Sequence, residues 1–190
     1  MRLEMTDNNS EFRIPNSEFK MMRDESRKKE YTMRITLLGL SLAAAMVLSY
    51  VESLIPVPFA VPGVKLGLAN LVALFLLMKL DWRYAGAVSL VRVLLTALLF
   101  GNFASLAYSA AGAALSLLVM ALLKRFGKFS AVGISIAGAV SHNAGQILMA
   151  IILLETKEIA YWLPALIVSG TVTGLAVGAV GAILVKKVKL

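Results

Sequence analysis

The sequence predicts an all-α integral membrane protein with six transmembrane helices and both termini in the cytoplasm, and three observations carry that expectation. Hydrophobic residues make up 59% of the 190-residue chain, against about 45–50% in soluble domains, and the mean hydropathy is +0.81. From Arg34 onward the apolar residues fall into six separate runs, each to be judged against the roughly 20 residues that a helix needs to cross a bilayer. The Lys and Arg residues between the runs alternate in density. Arg23, Arg27, Lys28, Lys29 and Arg34, then Lys79 and Arg83, then Lys124, Arg125 and Lys128, then Lys186, Lys187 and Lys189 fall on one side, with only Lys65 and Lys157 on the other. Such an asymmetry marks the cytoplasmic face. It also accounts for the net charge of +8 without a nucleic-acid partner.

Residues 1–32 are polar, mixed in charge and without apolar periodicity, which predicts a disordered tail ahead of a membrane domain over residues 33–190. The tail lacks the apolar core of a signal peptide, and a start at Met21, Met22 or Met33 would remove much or all of it. The first run, Ile35–Leu54, is long enough to span and carries two lines of small residues, Ser41, Ala45 and Ser49 on one, Gly39 and Ala43 on the other. Helices in lipid associate by close backbone approach at such residues. One line can serve packing within the bundle and the other docking of a second membrane protein.

Next comes "PVPFAVPGVKLGLAN", Pro56 to Asn70. Pro56, Pro58 and Pro62 remove backbone donors and force extended geometry on the preceding residues, so no helix runs through them. On the outer side this stretch reads as a lid over a pocket, with Gly63 as hinge. The second run, Leu66–Met78, is short for a span; it borrows residues from the loop or ends inside the protein. Short helices beside non-helical backbone are where membrane proteins place binding sites. The later runs are Tyr84–Phe100, Ala104–Leu123, Ala131–Leu154 and Ala160–Val185, the last with a small-residue line at Gly170, Gly174, Gly178 and Ala182. Trp82, Tyr84, Tyr161 and Trp162 fall where interfacial aromatics are expected.

Polar residues at membrane depth supply the candidate site. Arg92 lies near the middle of the third run, at a cost of roughly 2.5–3.5 kcal/mol on insertion scales. His142, the only histidine, stands in "SHNAGQ" with Asn143 beside it and Gln146 one helical turn on. Glu52 at the outer end of the first run, Lys65, Asn70 and the outer-loop Asn102 complete the set. One reading makes these a polar plug, Arg92 pairing with Glu52 or with His142, Asn143 and Gln146. The other makes them an outward-opening ligand pocket, in which Arg92 and Lys65 hold an anionic or carbonyl group, the amides fix orientation and Glu52 contacts a cationic or hydroxyl group.

Several chemistries are not expected. A lone histidine in a cysteine-free chain lacks the ligand count of a zinc site, and no metal or cofactor is predicted. No Gly-rich phosphate loop followed by Lys and Ser or Thr occurs. Beyond the tail the acidic residues Glu52, Asp81, Glu155 and Glu158 are scattered, whereas a prenyl diphosphate synthase needs clustered aspartates for magnesium diphosphate. Catalysis by this chain alone is not expected.

The motifs "YVESLIPVPFAVPGVKLGLANLV", "VRVLLTALLFGNFASLAYSAAGAALSLLVMALL" and "GISIAGAVSHNAGQILMA" closely resemble the bacterial membrane proteins known as Gx transporters or heptaprenyl diphosphate synthase component I. The resemblance covers about residues 33–185. That family in turn is similar to the substrate-binding S components of energy-coupling factor (ECF) transporters, six-helix bundles whose first extracellular loop gates the pocket. It implies a bacterial cytoplasmic-membrane protein that takes up a small molecule with a transmembrane coupling subunit and two ATPases. Gly39, Ser41, Ala43 and Ala45 would sit at the docking position, as overlapping lines and not as one alanine motif. The enzyme name implies instead a non-catalytic partner of a soluble prenyl transferase in isoprenoid and quinone metabolism, and family members are associated with flavin- and quinone-linked redox systems.

Overall fold

The computed structural model describes residues 16–54 and 67–188. Among these the chain is all helical: α1 (Asn16–Leu54), α2 (Asn70–Lys79), α3 (Trp82–Phe100), α4 (Phe103–Phe126), α5 (Ala131–Leu154), a 3₁₀ helix (Lys157–Trp162) and α6 (Leu163–Lys187). Five segments are long and apolar enough to cross a membrane. The exception is α2, whose 10 residues extend only about 15 Å, half of a ~30 Å hydrocarbon core. The protein is therefore multi-pass.

Polarity is distributed as lipid demands. On α5 the buried positions include, beside Ile134, Ala139, Ile147 and Ala150, the small or polar Ser135, Gly138, His142, Asn143, Gly145 and Gln146, while Leu148 and Ile152 are 57% and 70% exposed. A soluble helix would show the reverse.

Two compact units divide the chain at Leu37 and Leu38, within α1. In the first unit the helix starts at Asn16, so residues 16–32, expected to form an unstructured tail, are helical. Local ion pairs support it: Arg27–Asp24 and Arg34–Glu30, both at 2.6 Å, with spacings of three and four residues. Such pairs stabilise a helix through same-face proximity without any apolar stripe.

In the second unit the connections leading into α3, α4 and α5 are short, and each of these helices is capped. Asp81 accepts from the Trp82 amide at 2.7 Å. Ser130 accepts from the Gly133 amide at 3.1 Å. Gly127 ends α4 in the left-handed region, φ 68°, which favours glycine. The Lys124 ammonium donates to the Leu77 carbonyl and so joins the C-terminal ends of α2 and α4 at one basic end of the bundle.

Glycines set the packing of α5 between its neighbours. A Cβ at Gly174 would stand 2.7 Å from Ile136 Cα, one at Gly178 2.8 Å from Val132 Cα, and one at Gly145 2.8 Å from the Ala111 carbonyl oxygen. The glycines of the α6 line, Gly170, Gly174 and Gly178, are therefore spent on α5. The two lines on α1 separate: Ser41, Ala45 and Ser49 are buried in the bundle, whereas Gly39 and Ala43 are exposed. Of the expected docking set, Ser41 and Ala45 are thus engaged within the chain, and Gly39 and Ala43 face outward.

The buried apolar side chains form two clusters. Ala45, Leu74, Leu76, Leu77, Ala85, Met120 and Ile134 belong to one, and Tyr108, Ile147, Ala150, Ile159 and Leu166 to the other. Along α5, His142, Asn143 and Gln146 lie between Ile134 and Ile147 and so separate them.

Candidate functional site

The polar centre is assembled by several helices around the start of α2. Gly67 takes φ +88°, a conformation favourable to glycine, and the turn it opens is closed by the Asn70 amide donating to the Gly67 carbonyl at 2.9 Å. From α1, the Glu52 carboxylate accepts from the Gly67 amide and, at 3.3 Å, from the Leu68 amide. An anion is favoured there because two successive backbone amides of the entry turn converge on one carboxylate oxygen. Glu52 is 3% exposed.

This turn lies against α5. A Cβ at Gly67 would stand 3.1 Å from Asn70 Nδ2 and 3.4 Å from His142 Cδ2, and one at Gly112 of α4 would stand 2.9 Å from His142 Cε1 and from Gln146 Cγ. The imidazole is wedged between the entry of α2 and α4, so α2 begins at the level of mid-α5. Its half-length follows: it covers the stretch from that level to the basic end.

His142 Nε2 and Gln146 Nε2 are 2.9 Å apart. The imidazole tautomer sets which of the two groups donates. Arg92, 5% exposed, donates from Nη1 to Ser49 Oγ at 3.3 Å, and Glu52 lies within coulombic reach of it. One turn on, Thr96 Oγ1 donates to Met46 Sδ at 3.7 Å, so a polar face of α3 looks onto α1.

Glu52, Asn70, Arg92, His142 and Gln146 are thus all buried within the bundle. The structure does not gather all the expected residues there. Asn143 is fully buried, but its Nδ2 donates to the Leu166 carbonyl at 2.7 Å, tying α5 to α6. Asn102 is exposed and caps α4: its Oδ1 accepts from the Ser105 amide at 2.8 Å while Ser105 Oγ accepts from the Asn102 amide at 3.1 Å. The Asn102–Ser105 spacing is the sequence signal for that cap. Lys65 and the loop residues Pro56, Pro58, Pro62 and Gly63 lie outside the described residues.

Sequence reasoning missed Gly67 and Gly112 as the walls of the imidazole, and Ser49 as the partner of Arg92. The near-continuous hydrophobicity of these segments hides which face meets which helix.

Not every buried polar atom in this part of the bundle is satisfied. Asn70 Nδ2, Asn143 Oδ1, Ser109 Oγ and Ser116 Oγ have no hydrogen-bond partner among the described residues, where each such group costs about 1–3 kcal/mol. No group of His, Asp or Glu able to hold a metal ion occurs among the described residues.

Among the described residues, two cavities lie away from this centre, along α3 and α4. One of about 720 Å³ is lined by Leu77, Asp81, Trp82 and residues of α4 such as Ala114, Leu117 and Arg125, and one of about 220 Å³ by Gly86, Val93, Ala110 and their neighbours.

Among curated proteins and among solved structures, no match was found. The family model described as heptaprenyl diphosphate synthase component I matches residues 41–184, a range that takes in the last part of α1, all of α2 to α5, most of α6 and the buried polar residues above. The chain is a membrane protein of the heptaprenyl diphosphate synthase component I family.

Proposed function

We propose that this protein is the small-molecule-binding subunit of a membrane transporter, similar in plan to an ECF S component. It takes up a ligand from outside through a pocket capped by residues 56–63. The observation that carries this reading is the half-helix α2 opening at mid-bundle onto Glu52, Asn70, Arg92, His142 and Gln146. Discontinuous helices that start at membrane depth beside buried polar groups are how transporters build midplane sites. In such a site unpartnered atoms such as Asn70 Nδ2 are satisfied by ligand or water.

Glu52 already occupies the amides of the turn that leads into α2 and offsets the charge of Arg92. The pocket therefore suits a polar ligand of low net charge, with Arg92 directed to its carbonyl or weakly anionic group. Six spans with both termini inside, the membrane domain running over residues 33–190, follow from the basic loops. In a bacterial cell this is the cytoplasmic membrane. Gly39 and Ala43, exposed on α1, are the face left for a coupling subunit and its ATPases.

Native mass spectrometry of the detergent-purified chain tests the reading. It should show a co-purified small molecule that Arg92→Ala and Asn70→Ala both lose. Retention by both variants at wild-type occupancy refutes the site.

The family description favours a second reading, a non-catalytic membrane partner of a soluble prenyl transferase. Co-expression should then raise chain-elongation activity of that enzyme, and unchanged activity would exclude it.

A further inference from the structure

We infer that the α3–α4 face carries a binding site for an anionic phospholipid of the surrounding leaflet, separate from the central polar site. The larger cavity there, about 720 Å³, is of the size that holds small-molecule ligands. Its wall is apolar along Leu117, Leu118 and Leu122, and its basic end, the mouth, is built from Trp82, Lys124 and Arg125. The second cavity, about 220 Å³, shares Ala114 and Leu117 with the first. Together they form one groove running from the basic end of the bundle towards its middle.

Several wall residues are exposed: Trp82 53%, Leu118 57% and Leu122 47%. The groove therefore opens sideways, where an acyl chain enters from the bilayer and a water-soluble ligand does not.

The charge at the mouth selects the head. Arg125 is exposed at the end of α4, and Lys124 is anchored there by its bond to the Leu77 carbonyl, which leaves further ammonium hydrogens to donate. Arg83 stacks over the Trp82 ring at 5.7 Å from its centroid. The one carboxylate on the lining, Asp81, is engaged as the cap of α3 through the Trp82 amide. The balance is positive. Basic pockets between membrane helices recognise anionic headgroups in this way, and the interfacial tryptophan fixes depth.

The test uses the full-length protein in mixed micelles containing equal phosphatidylglycerol and phosphatidylcholine, read by native mass spectrometry. Phosphatidylglycerol should be retained about thirtyfold over phosphatidylcholine, as expected for favourable head contacts with two cations. Arg125→Glu should reduce that preference to within about twofold. Ala114→Phe, which fills the join of the two cavities, should lower phosphatidylglycerol occupancy. If Ala114→Phe does not fold, the exposed Arg125→Glu decides alone. Equal retention of the two lipids by wild type, or an unchanged preference in Arg125→Glu, overturns the inference. So does displacement of phosphatidylglycerol by an equal concentration of farnesyl diphosphate, which would assign the groove to a different ligand.

Discussion

Replacing Gly174 by Ala puts the packing of α5 against α6 to a quantitative test. The added Cβ would stand 2.7 Å from Ile136 Cα, about 0.7 Å inside the 3.4 Å at which ordinary contact begins, with the Ser135 carbonyl oxygen and Ala139 Cβ both at 3.1 Å. Backbone atoms cannot turn aside as a flexible side chain can, so the two helices must separate. Overpacking of this kind costs about 1–3 kcal/mol, or roughly 5- to 150-fold in the folding equilibrium. The same substitution at Gly39 meets nothing within 4 Å and should be neutral or gain up to about 1 kcal/mol of helix propensity. Equilibrium unfolding in mixed micelles by titration with sodium dodecyl sulfate reads both. A Gly174→Ala protein within about 0.5 kcal/mol of wild type would refute the close backbone approach, because most changes away from such contacts fall in that range.

Other predictions follow from single contacts. Glu52→Ala leaves the buried amides of Gly67 and Leu68 without their acceptor and should destabilise by about 1–3 kcal/mol, whereas Glu52→Gln, which keeps a carbonyl acceptor, should cost less; equal losses in the same unfolding titration would contradict the cap. Asn102→Ala should cost about 1 kcal/mol as the loss of a helix cap, with Asn102→Ser close to wild type and ligand occupancy unchanged in both. A change in occupancy would return Asn102 to the binding site. Asn143→Ala loses its bond to the Leu166 carbonyl and should lower stability by about 1 kcal/mol, so any binding defect it shows must be compared with a variant destabilised elsewhere, such as Gly178→Ala. Reporter fusions should place the residue 155–158 turn outside and the C-terminus inside; the opposite pattern would overturn the topology drawn from the basic loops.

Much of the fold is legible in the sequence because apolar runs in a membrane chain have one available structure. The run Ala131–Leu154 coincides with α5, and Tyr84–Phe100 ends where α3 ends. The early start of α1 at Asn16 escapes such reading, since ion pairs like Arg27–Asp24 support a polar helix without any apolar period. The start of α2 at Asn70, after a turn at Gly67, could be bracketed only as far as a short second run.

The site is legible in part for a related reason. His142 and Gln146 share a face by helical periodicity alone, and the place of Arg92 half-way along α3 follows from counting. That Arg92 reaches Ser49, that Gly112 backs the imidazole and that Asn143 turns towards α6 are tertiary facts. Periodicity says nothing of which neighbour a face meets when nearly every face is apolar.

The central claim is that the buried polar centre around Asn70 is reached from outside, and the chain offers a direct way to measure it. It contains no cysteine, so a single Asn70→Cys variant can be labelled in right-side-out vesicles with a membrane-impermeant thiol reagent. The account predicts labelling from the outside, slowed when the co-purified ligand is added back. Labelling that requires access from the cytoplasmic side, or none until the protein is unfolded, would contradict it.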